Sequence, residues 1–191
     1  MTHFKETETQ FPILDVIKHR WSPRAFEDKA ISELDLKTIF EAARWSPSAA
    51  NEQPWKFIYA HKGSEGFEKI VQGLMPGNQP WAKNAAVLIV TMARKTIAAT
   101  GKANELGPHD LGMANANIMH QGIAMGIYSH PMAGFDKAKM IELLHINEDL
   151  NPIVVIAMGY PASADKLEEP FKSRETAPRS RKPVTDFVTE A

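Results

Sequence analysis

Apolar residues at helical spacing predict two helices in the first quarter of the chain. The first spans residues 12–20, where Pro12 suits an opening turn. The residues that share one side of this helix are Ile13, Val16, Ile17 and Arg20. Ser32, with Asp35 three positions later, resembles a capping box for the second helix, and Pro47 ends it. The residues on its apolar face are Leu36, Ile39, Phe40 and Ala43.

Two uninterrupted apolar runs, at residues 85–92 and 152–160, predict central strands that are covered on both faces. Residues 55–60 predict a further strand. Short amphipathic helices are predicted at 65–74 and from Asp136 onward, and loops at 75–81 and 130–136.

The segment 111–127 is apolar around its circumference and rich in Ala, Met and Gly. Asp110 is a candidate cap for this helix, and Gly107-Pro108 is a candidate break before it. Such a helix should be buried, and its small side chains would allow close approach by another helix or a flat ligand.

The order of these elements predicts an α+β fold in which helices pack on a modest sheet. A chain of 191 residues fits a single domain, 1–191. The polar residues 1–10 are expected to be mobile. The proline-punctuated residues 162–191 are expected to form an extended tail that wraps its own chain or a partner subunit.

The composition of the chain argues against several classes of protein. Lys and Arg number 22 against 23 Asp and Glu, so a net charge of −1 gives no general attraction to nucleic acid or anionic membranes. No run reaches the roughly 18 apolar residues of a membrane-spanning helix, and the start of the chain lacks the apolar core of a secretion signal. The absence of cysteine excludes disulfides and thiolate chemistry. A cytoplasmic protein is expected.

Two basic segments are candidate phosphate sites. In residues 19–26, Arg20 and Arg24 flank Ser22, and guanidinium groups bind phosphate through paired hydrogen bonds. In the tail, Arg179 and Arg181 repeat this chemistry. The alternatives are a solvated basic helix end for the first segment and a solvated run of charge for the second.

Residues 45–57 combine small and amide side chains in a loop that leads into a strand. Ser48, Asn51 and Gln53 could bind the edges of a planar heterocycle, and small neighbours would let its ring approach the backbone. The alternative is an ordinary helix-to-strand connection whose polar side chains bind local backbone groups. Signatures of zinc sites, the serine elbow, the P-loop and the dinucleotide-binding turn are absent from the sequence.

Taken in order, these segments resemble the FMN-dependent nitroreductase family over residues 12 to 188. The motifs that carry the resemblance are Arg20-x-Ser22-x-Arg24-x-Phe26, Pro47-Ser48-Ala49-x-Asn51-x-Gln53-Pro54-Trp55, Gly134-Phe135-Asp136, Gly159-Tyr160-Pro161 and Arg179-x-Arg181-Lys182-Pro183. The resemblance implies a nitroreductase-type fold, with a central, mostly antiparallel sheet flanked by helices. It also implies a homodimer that holds FMN at its interface and exchanges its C-terminal tails between subunits.

The same resemblance implies roles for individual residues. The segment that holds the flavin phosphate and ring edge corresponds to Arg20, Trp21, Ser22 and Arg24. The loop beneath the isoalloxazine ring corresponds to Pro47, Ser48, Ala49, Asn51 and Gln53. Backbone groups near the N5 side of the ring correspond to Pro131, Met132 and Gly134. Terminal phosphate contacts correspond to Arg179 and Arg181. Asn78 is a further candidate, and Ala133 stands where some relatives have a glutamate that faces the flavin.

The resemblance further implies a ping-pong oxidoreductase in which NADH or NADPH passes hydride to flavin N5, before a small-molecule acceptor is reduced. No catalytic side chain is expected, because the hydride chemistry belongs to the cofactor. Nitroaromatics, quinones and related conjugated compounds are the expected acceptors. A reductase of a specific aldehyde or enone metabolite, and a non-catalytic protein that binds or stores FMN, are the alternatives.

Overall fold

A computed structural model of the chain describes residue 5 and residues 7–191. Its helices are α1 (Asp15–His19), α2 (Glu33–Arg44), α3 (Glu65–Gly73), α4 (Gln79–Ala82), α5 (Gly107–Ala124), α6 (Lys137–Leu144) and α7 (Phe171–Thr176). Its strands are β1 (Trp55–His61), β2 (Val87–Arg94), β3 (Tyr128–Met132) and β4 (Leu150–Gly159). Short 3-10 turns occupy Ala49–Asn51, Ala164–Lys166 and Val184–Asp186.

The strands form one antiparallel sheet in the order β1-β2-β4-β3, which confirms the predicted mostly antiparallel sheet. Strand β2 lies inside the sheet, and its first residues alternate between two hydrophobic cores. Leu88 and Val90 belong to the core that includes α3 and α6, whereas Val87 and Ile89 belong to the core that includes α2 and α5. The uninterrupted apolar run of β2 therefore reflects burial on both faces.

Two helix starts follow the predicted capping. Ser32 Oγ accepts a hydrogen bond from the Asp35 N–H at 3.1 Å, at the start of α2. Asp136 Oδ1 accepts one from the Lys139 N–H at 2.9 Å, at the start of α6. In both cases a side-chain oxygen binds an amide that has no partner inside the helix.

Three local predictions were wrong. Residues 130–136 were expected to form a loop, but β3 extends to Met132, and Pro131 is tolerated because β3 is an edge strand. The predicted loop at 75–81 contains the start of α4, whose first turn includes Pro80. Gly107-Pro108 begins α5 instead of breaking the chain, so Asp110 lies in the first helical turn and does not cap it.

The first part of the C-terminal tail packs on its own chain. The Ala162 N–H donates to the Ala25 carbonyl at 3.0 Å, and α7 interrupts the segment that was expected to be extended. Residues 180–191 are exposed. Exchange of the tail, residues 162–191, between subunits stays a prediction.

The expected mobility of residues 1–10 falls in part on residues 1–4 and 6, which lie outside the described residues. In the part of the chain that the structure describes, no helix combines the length and the apolar character needed to cross a bilayer.

Candidate functional site

The end of α1 and the C-terminal tail bring three guanidinium groups into one electrostatic cluster: Arg20, Arg179 and Arg181. Arg20 Nη1 donates to Ser22 Oγ at 3.3 Å. Burial lowers the pKa of Arg20, and the positive charges of Arg179 and Arg181 lower it further. Across residues 5 and 7–191, no carboxylate forms an ion pair with any of the three. The cluster therefore carries positive charge that an anion could neutralise.

Arg179 also has a structural contact. Its Nη1 donates to the carbonyl oxygens of Lys5 at 3.0 Å and Lys18 at 2.8 Å. Burial lowers the pKa of Arg179, and the nearby charge of Arg181 lowers it further. Nη1 thus ties the tail to the C-terminal end of α1, while the other guanidinium nitrogens have no protein acceptor among the described residues.

Arg24 has a different environment from the cluster. Its guanidinium lies 5.8 Å from the centre of the Trp81 ring, and its Nη1 lies 3.9 Å from Glu175 Oε2. Burial lowers the pKa of Arg24, and the negative charge of Glu175 opposes that shift. Sequence reasoning placed Arg24 in the site but missed Glu175, which is the only acidic residue in the basic stretch 172–182.

His130 connects β3 to the arginine segment. Its Nδ1 lies 3.0 Å from the Pro23 carbonyl oxygen, so Nδ1 carries the proton and donates. Its ring centre lies 4.5 Å from that of Trp81. Burial lowers the pKa of His130 to about 4, with the charge of Arg24 as the next contribution. His130 is therefore neutral at physiological pH and fixes the backbone at Pro23.

Trp21, another predicted site residue, is buried in a small hydrophobic cluster with Ile123 and Tyr128. Its ring meets that of Tyr128 edge-on at 6.2 Å. The indole Nε1 is buried and has no acceptor among the described residues. A buried donor without a partner is uncommon in folded proteins, and this one lies next to Arg20 and Ser22.

The loop at residues 47–53 has an unusual backbone. Ala50, Asn51 and Gln53 have φ values of 49°, 57° and 48°. Residues other than glycine rarely adopt this left-handed region, and such strain persists only where the surroundings enforce it. Strained backbone of this kind is concentrated at functional sites.

Contacts inside the loop and with α5 enforce that backbone. The Gln53 N–H donates to Ser48 Oγ at 3.0 Å. The Ala49 N–H donates to Oδ2 of Asp110, a residue only 1% exposed, at 3.0 Å. Asn117 Nδ2 donates to Ser46 Oγ at 2.8 Å just before the loop. Sequence reasoning missed Asn117 and assigned Asp110 a different role.

The segment at residues 131–134, predicted to lie near the N5 side of the ring, contacts Asn78 just before α4. Asn78 Nδ2 donates to the Gly134 carbonyl at 2.9 Å, and a side chain at position 134 would place its Cβ 2.8 Å from the same nitrogen. Met132 is buried in the core, and Pro131 lies opposite Ile156 in the sheet. The side chain of Met132 is therefore not available to a ligand.

The predicted residues form two groups within one chain. His130 connects the arginine segment to the strand that ends at Met132, and the tail supplies Arg179 and Arg181 to the same region. The 47–53 loop binds α5 and, through Glu52 Oε2, the Ala98 N–H. Over the described residues, no hydrogen bond joins this loop to the arginine cluster. A cavity of about 460 Å³ near Lys56 and Arg94 is lined by none of the predicted site residues.

Comparison with known proteins identifies relatives along most of the chain. A protein of Archaeoglobus fulgidus, provisionally named an NADH dehydrogenase/NAD(P)H nitroreductase, is 30% identical over 152 residues, which are 78% of this chain and 84% of its own. A protein of Streptomyces coelicolor with the same provisional name is 29% identical over 163 residues, which are 72% of this chain and 77% of its own.

Solved structures share the fold. A crystal structure described as an oxidoreductase containing FMN is 36% identical in sequence and has a TM-score of 0.91 over 96% of this chain and 93% of its own. A nitroreductase family protein from Streptococcus pneumoniae is 24% identical, with a TM-score of 0.76 over 93% of this chain and 98% of its own. The profile of the Nitroreductase family matches residues 17–160, which include every predicted site residue except the two tail arginines. The chain is a member of the Nitroreductase family and has its fold.

Proposed function

We propose that the protein is a homodimeric, FMN-dependent oxidoreductase that uses NADH or NADPH to reduce nitroaromatics, quinones or related conjugated acceptors. The observation that carries the proposal is the cluster of Arg20, Arg179 and Arg181, in which no carboxylate among the described residues neutralises the positive charge. The terminal phosphate of FMN is a dianion of the right charge for such a cluster.

Further features of the chain fit a flavin. Trp21, between Arg20 and Ser22 in the chain, has a buried Nε1 donor without an acceptor among the described residues. The strained 47–53 loop is exposed at Ala50, Asn51 and Gln53, where a flat ring could contact its backbone. The structural relative with 36% identity is itself described as containing FMN, and the relatives' names include NAD(P)H as reductant.

Each segment would have a distinct task. Arg20, Ser22 and Arg181 would hold the phosphate by charge-assisted hydrogen bonds, and the backbone at 131–134 would lie along the ring. FMN, when bound, supplies reversible two-electron transfer between the nicotinamide and the acceptor. The protein would contribute position and electrostatics, so no side chain need act as an acid or nucleophile.

The proposed dimer accounts for the separation of the two groups of residues. The 47–53 loop of one subunit would contact the flavin that is held by the arginine cluster of the other. Large apolar side chains are exposed at Leu14, just before α1 (70%), and at Phe187 in the tail (68%), which is the kind of surface that a subunit interface covers.

The test begins with purified full-length protein. We expect flavin absorbance, tight binding of added FMN to the flavin-free protein, and a dimer in solution. Anaerobic mixing with NADH or NADPH should bleach the flavin within seconds, and a panel of nitroaromatic, quinone, aldehyde and enone acceptors should restore it. Double-reciprocal plots of the rate of acceptor reduction, measured at several nicotinamide concentrations, should be parallel if turnover is ping-pong. Failure to bind FMN would contradict the proposal, and binding without bleaching would favour storage.

A further inference from the structure

Glu175 of α7 is a buried carboxylate for which the proposed chemistry has no use. It is 3% exposed. Its Oε1 accepts hydrogen bonds from the Arg24 N–H at 2.9 Å and the Ala25 N–H at 3.1 Å, and its Oε2 lies 3.1 Å from the same Arg24 nitrogen. The Arg24 guanidinium adds an ion pair at 3.9 Å. One tail side chain therefore binds the backbone and the side chain of the arginine segment.

Burial of the Glu175 carboxylate indicates that the fold needs an acceptor at this position. Removing a carboxylate from water carries a large free-energy cost, which only charge-assisted hydrogen bonds and a nearby cation offset. The Arg24 and Ala25 amides lie outside any helix or strand, so Glu175 is the acceptor that prevents them from being buried without partners. An apolar residue at position 175 could pack α7 but could not bind these amides.

The turn formed by residues 22–25 is held from two sides. His130 binds the Pro23 carbonyl from the sheet, while Glu175 binds the next two amides from the tail. The two anchors fix the backbone between Ser22 and Ala25. Ser22 and Arg24 therefore belong to a backbone segment that α7 helps to hold.

We propose that Glu175 is a positioning residue for cofactor binding: it holds the 22–25 turn in its binding conformation and couples docking of the tail to occupancy of the flavin site. The inference rests on the proposed function. Arg179 lies four residues after Glu175 and also binds the chain at Lys18. Docking of one tail segment thus orders the turn and delivers the tail arginines together.

Coupling of this kind works in both directions. If tail docking strengthens FMN binding, FMN must stabilise the docked tail by the same factor. Arg174 in α7 provides a trypsin site that reports on tail docking and that is retained when Glu175 or Lys172 is replaced. We therefore expect FMN to slow tryptic cleavage of the tail in the wild-type protein.

The experiment compares Glu175→Ala and Glu175→Gln with Lys172→Ala, a matched control on α7 whose side chain pairs with Asp165 at the surface. FMN is titrated into flavin-free full-length protein, and tryptic cleavage is followed with and without FMN. We expect Glu175→Ala to weaken FMN binding by about tenfold, because the turn that carries Ser22 and Arg24 loses the charged acceptor of two of its amides. Glu175→Gln should weaken binding less, since its carbonyl oxygen still accepts, and Lys172→Ala should leave it within about twofold.

Protection of the tail by FMN should be lost in Glu175→Ala and retained in the control. A purely structural Glu175 would lower the melting temperature but leave FMN affinity and protection unchanged in the folded variants, and that result would overturn the inference. If Glu175→Ala does not fold, Glu175→Gln decides: unchanged affinity and protection overturn the inference. Failure of the wild-type protein itself to bind FMN would instead overturn the proposed function.

Discussion

The two halves of the candidate site are built by opposite means. The arginine region depends on side-chain charge and on partners far away in the sequence: Glu175 binds Arg24 across 151 positions. The 47–53 loop depends on strained backbone, which is held by a contact between Ser48 and Gln53 within the loop and by Asp110 of α5. The first half is suited to an anion, and the second presents backbone groups to a flat surface.

Because of this difference, the contacts of the two halves with a ligand should respond differently to ionic strength. Charge-based contacts in a partly exposed cluster weaken as salt screens them. Contacts made by strained backbone do not depend on ionic strength, but they depend on whatever holds the strain in place. Variants of the two regions should therefore differ in salt dependence as well as in magnitude.

The largest effect on FMN affinity is expected from loss of the cluster charges. Arg20→Ala and Arg181→Ala should each weaken FMN binding by about 1.5–3 kcal/mol, because each removes a charge-assisted contact to the phosphate. Titration of flavin-free protein at low and high salt measures the effect, and the difference from wild type should shrink at high salt.

Arg44→Ala is the matched control for these variants. Arg44 is an exposed arginine that pairs with Glu41 at the end of α2 and does not belong to the arginine cluster. Its removal should leave FMN affinity unchanged. Wild-type affinity in both Arg20→Ala and Arg181→Ala would contradict the assignment of the phosphate to this cluster.

The second effect concerns the support of the arginine turn by His130. Its pKa is about 4 in the folded protein, lowered by burial and by Arg24 and Arg20, against 6.5 for an ordinary histidine. The unfolded chain therefore binds the proton more readily, and acid favours unfolding. The free energy of unfolding should fall by about 3 kcal/mol on this account as the pH drops from about 6.5 to 4.

Urea unfolding of wild type and His130→Gln at several pH values measures this contribution. The variant should be less stable at pH 7, yet lose less stability than wild type between pH 6.5 and 4. His145→Gln, at an exposed position after α6, controls for loss of a histidine as such. Equal pH dependence in wild type and His130→Gln would show that His130 titrates normally.

The sequence predicted most reliably what is encoded locally. Strands β2 and β4 were predicted from apolar runs, because a strand buried on both faces needs apolar residues at every position. Strand β3 was missed, since a short segment with His130 and Pro131 becomes a strand only by pairing with β4. The start of α5 was misread, because a Gly-Pro pair is compatible both with the end of one element and with the first turn of a helix.

For the site, residue types pointed to the arginines and to the amide-rich loop, but not to the residues that hold them. Glu175, Asp110 and Asn117 act on segments between 61 and 151 positions away. Local patterns carry no information on such pairs. The one available signal was Glu175 itself, as an isolated acid in a basic tail.

The third effect should come from the anchor of the strained loop. Asp110→Ala removes the acceptor of the Ala49 N–H, and an amide left without its partner costs about 1–3 kcal/mol of stability. FMN binding should weaken in parallel, to an extent that does not change with salt. A loss of affinity that disappears at high salt would remove the distinction between the two halves of the site.

The smallest effect tests the strain directly. Ala50 has a φ of 49°, where glycine is more favourable than alanine. Ala50→Gly should therefore raise the free energy of unfolding by about 0.5–1 kcal/mol, measured by thermal or urea unfolding of the flavin-free protein. The exposed Ala138→Gly in α6 is the matched control and should destabilise by a similar amount, because glycine is a poor helix former. Destabilisation by both substitutions would mean that the loop stores no strain at Ala50, and its backbone would then be an ordinary connection between α2 and β1.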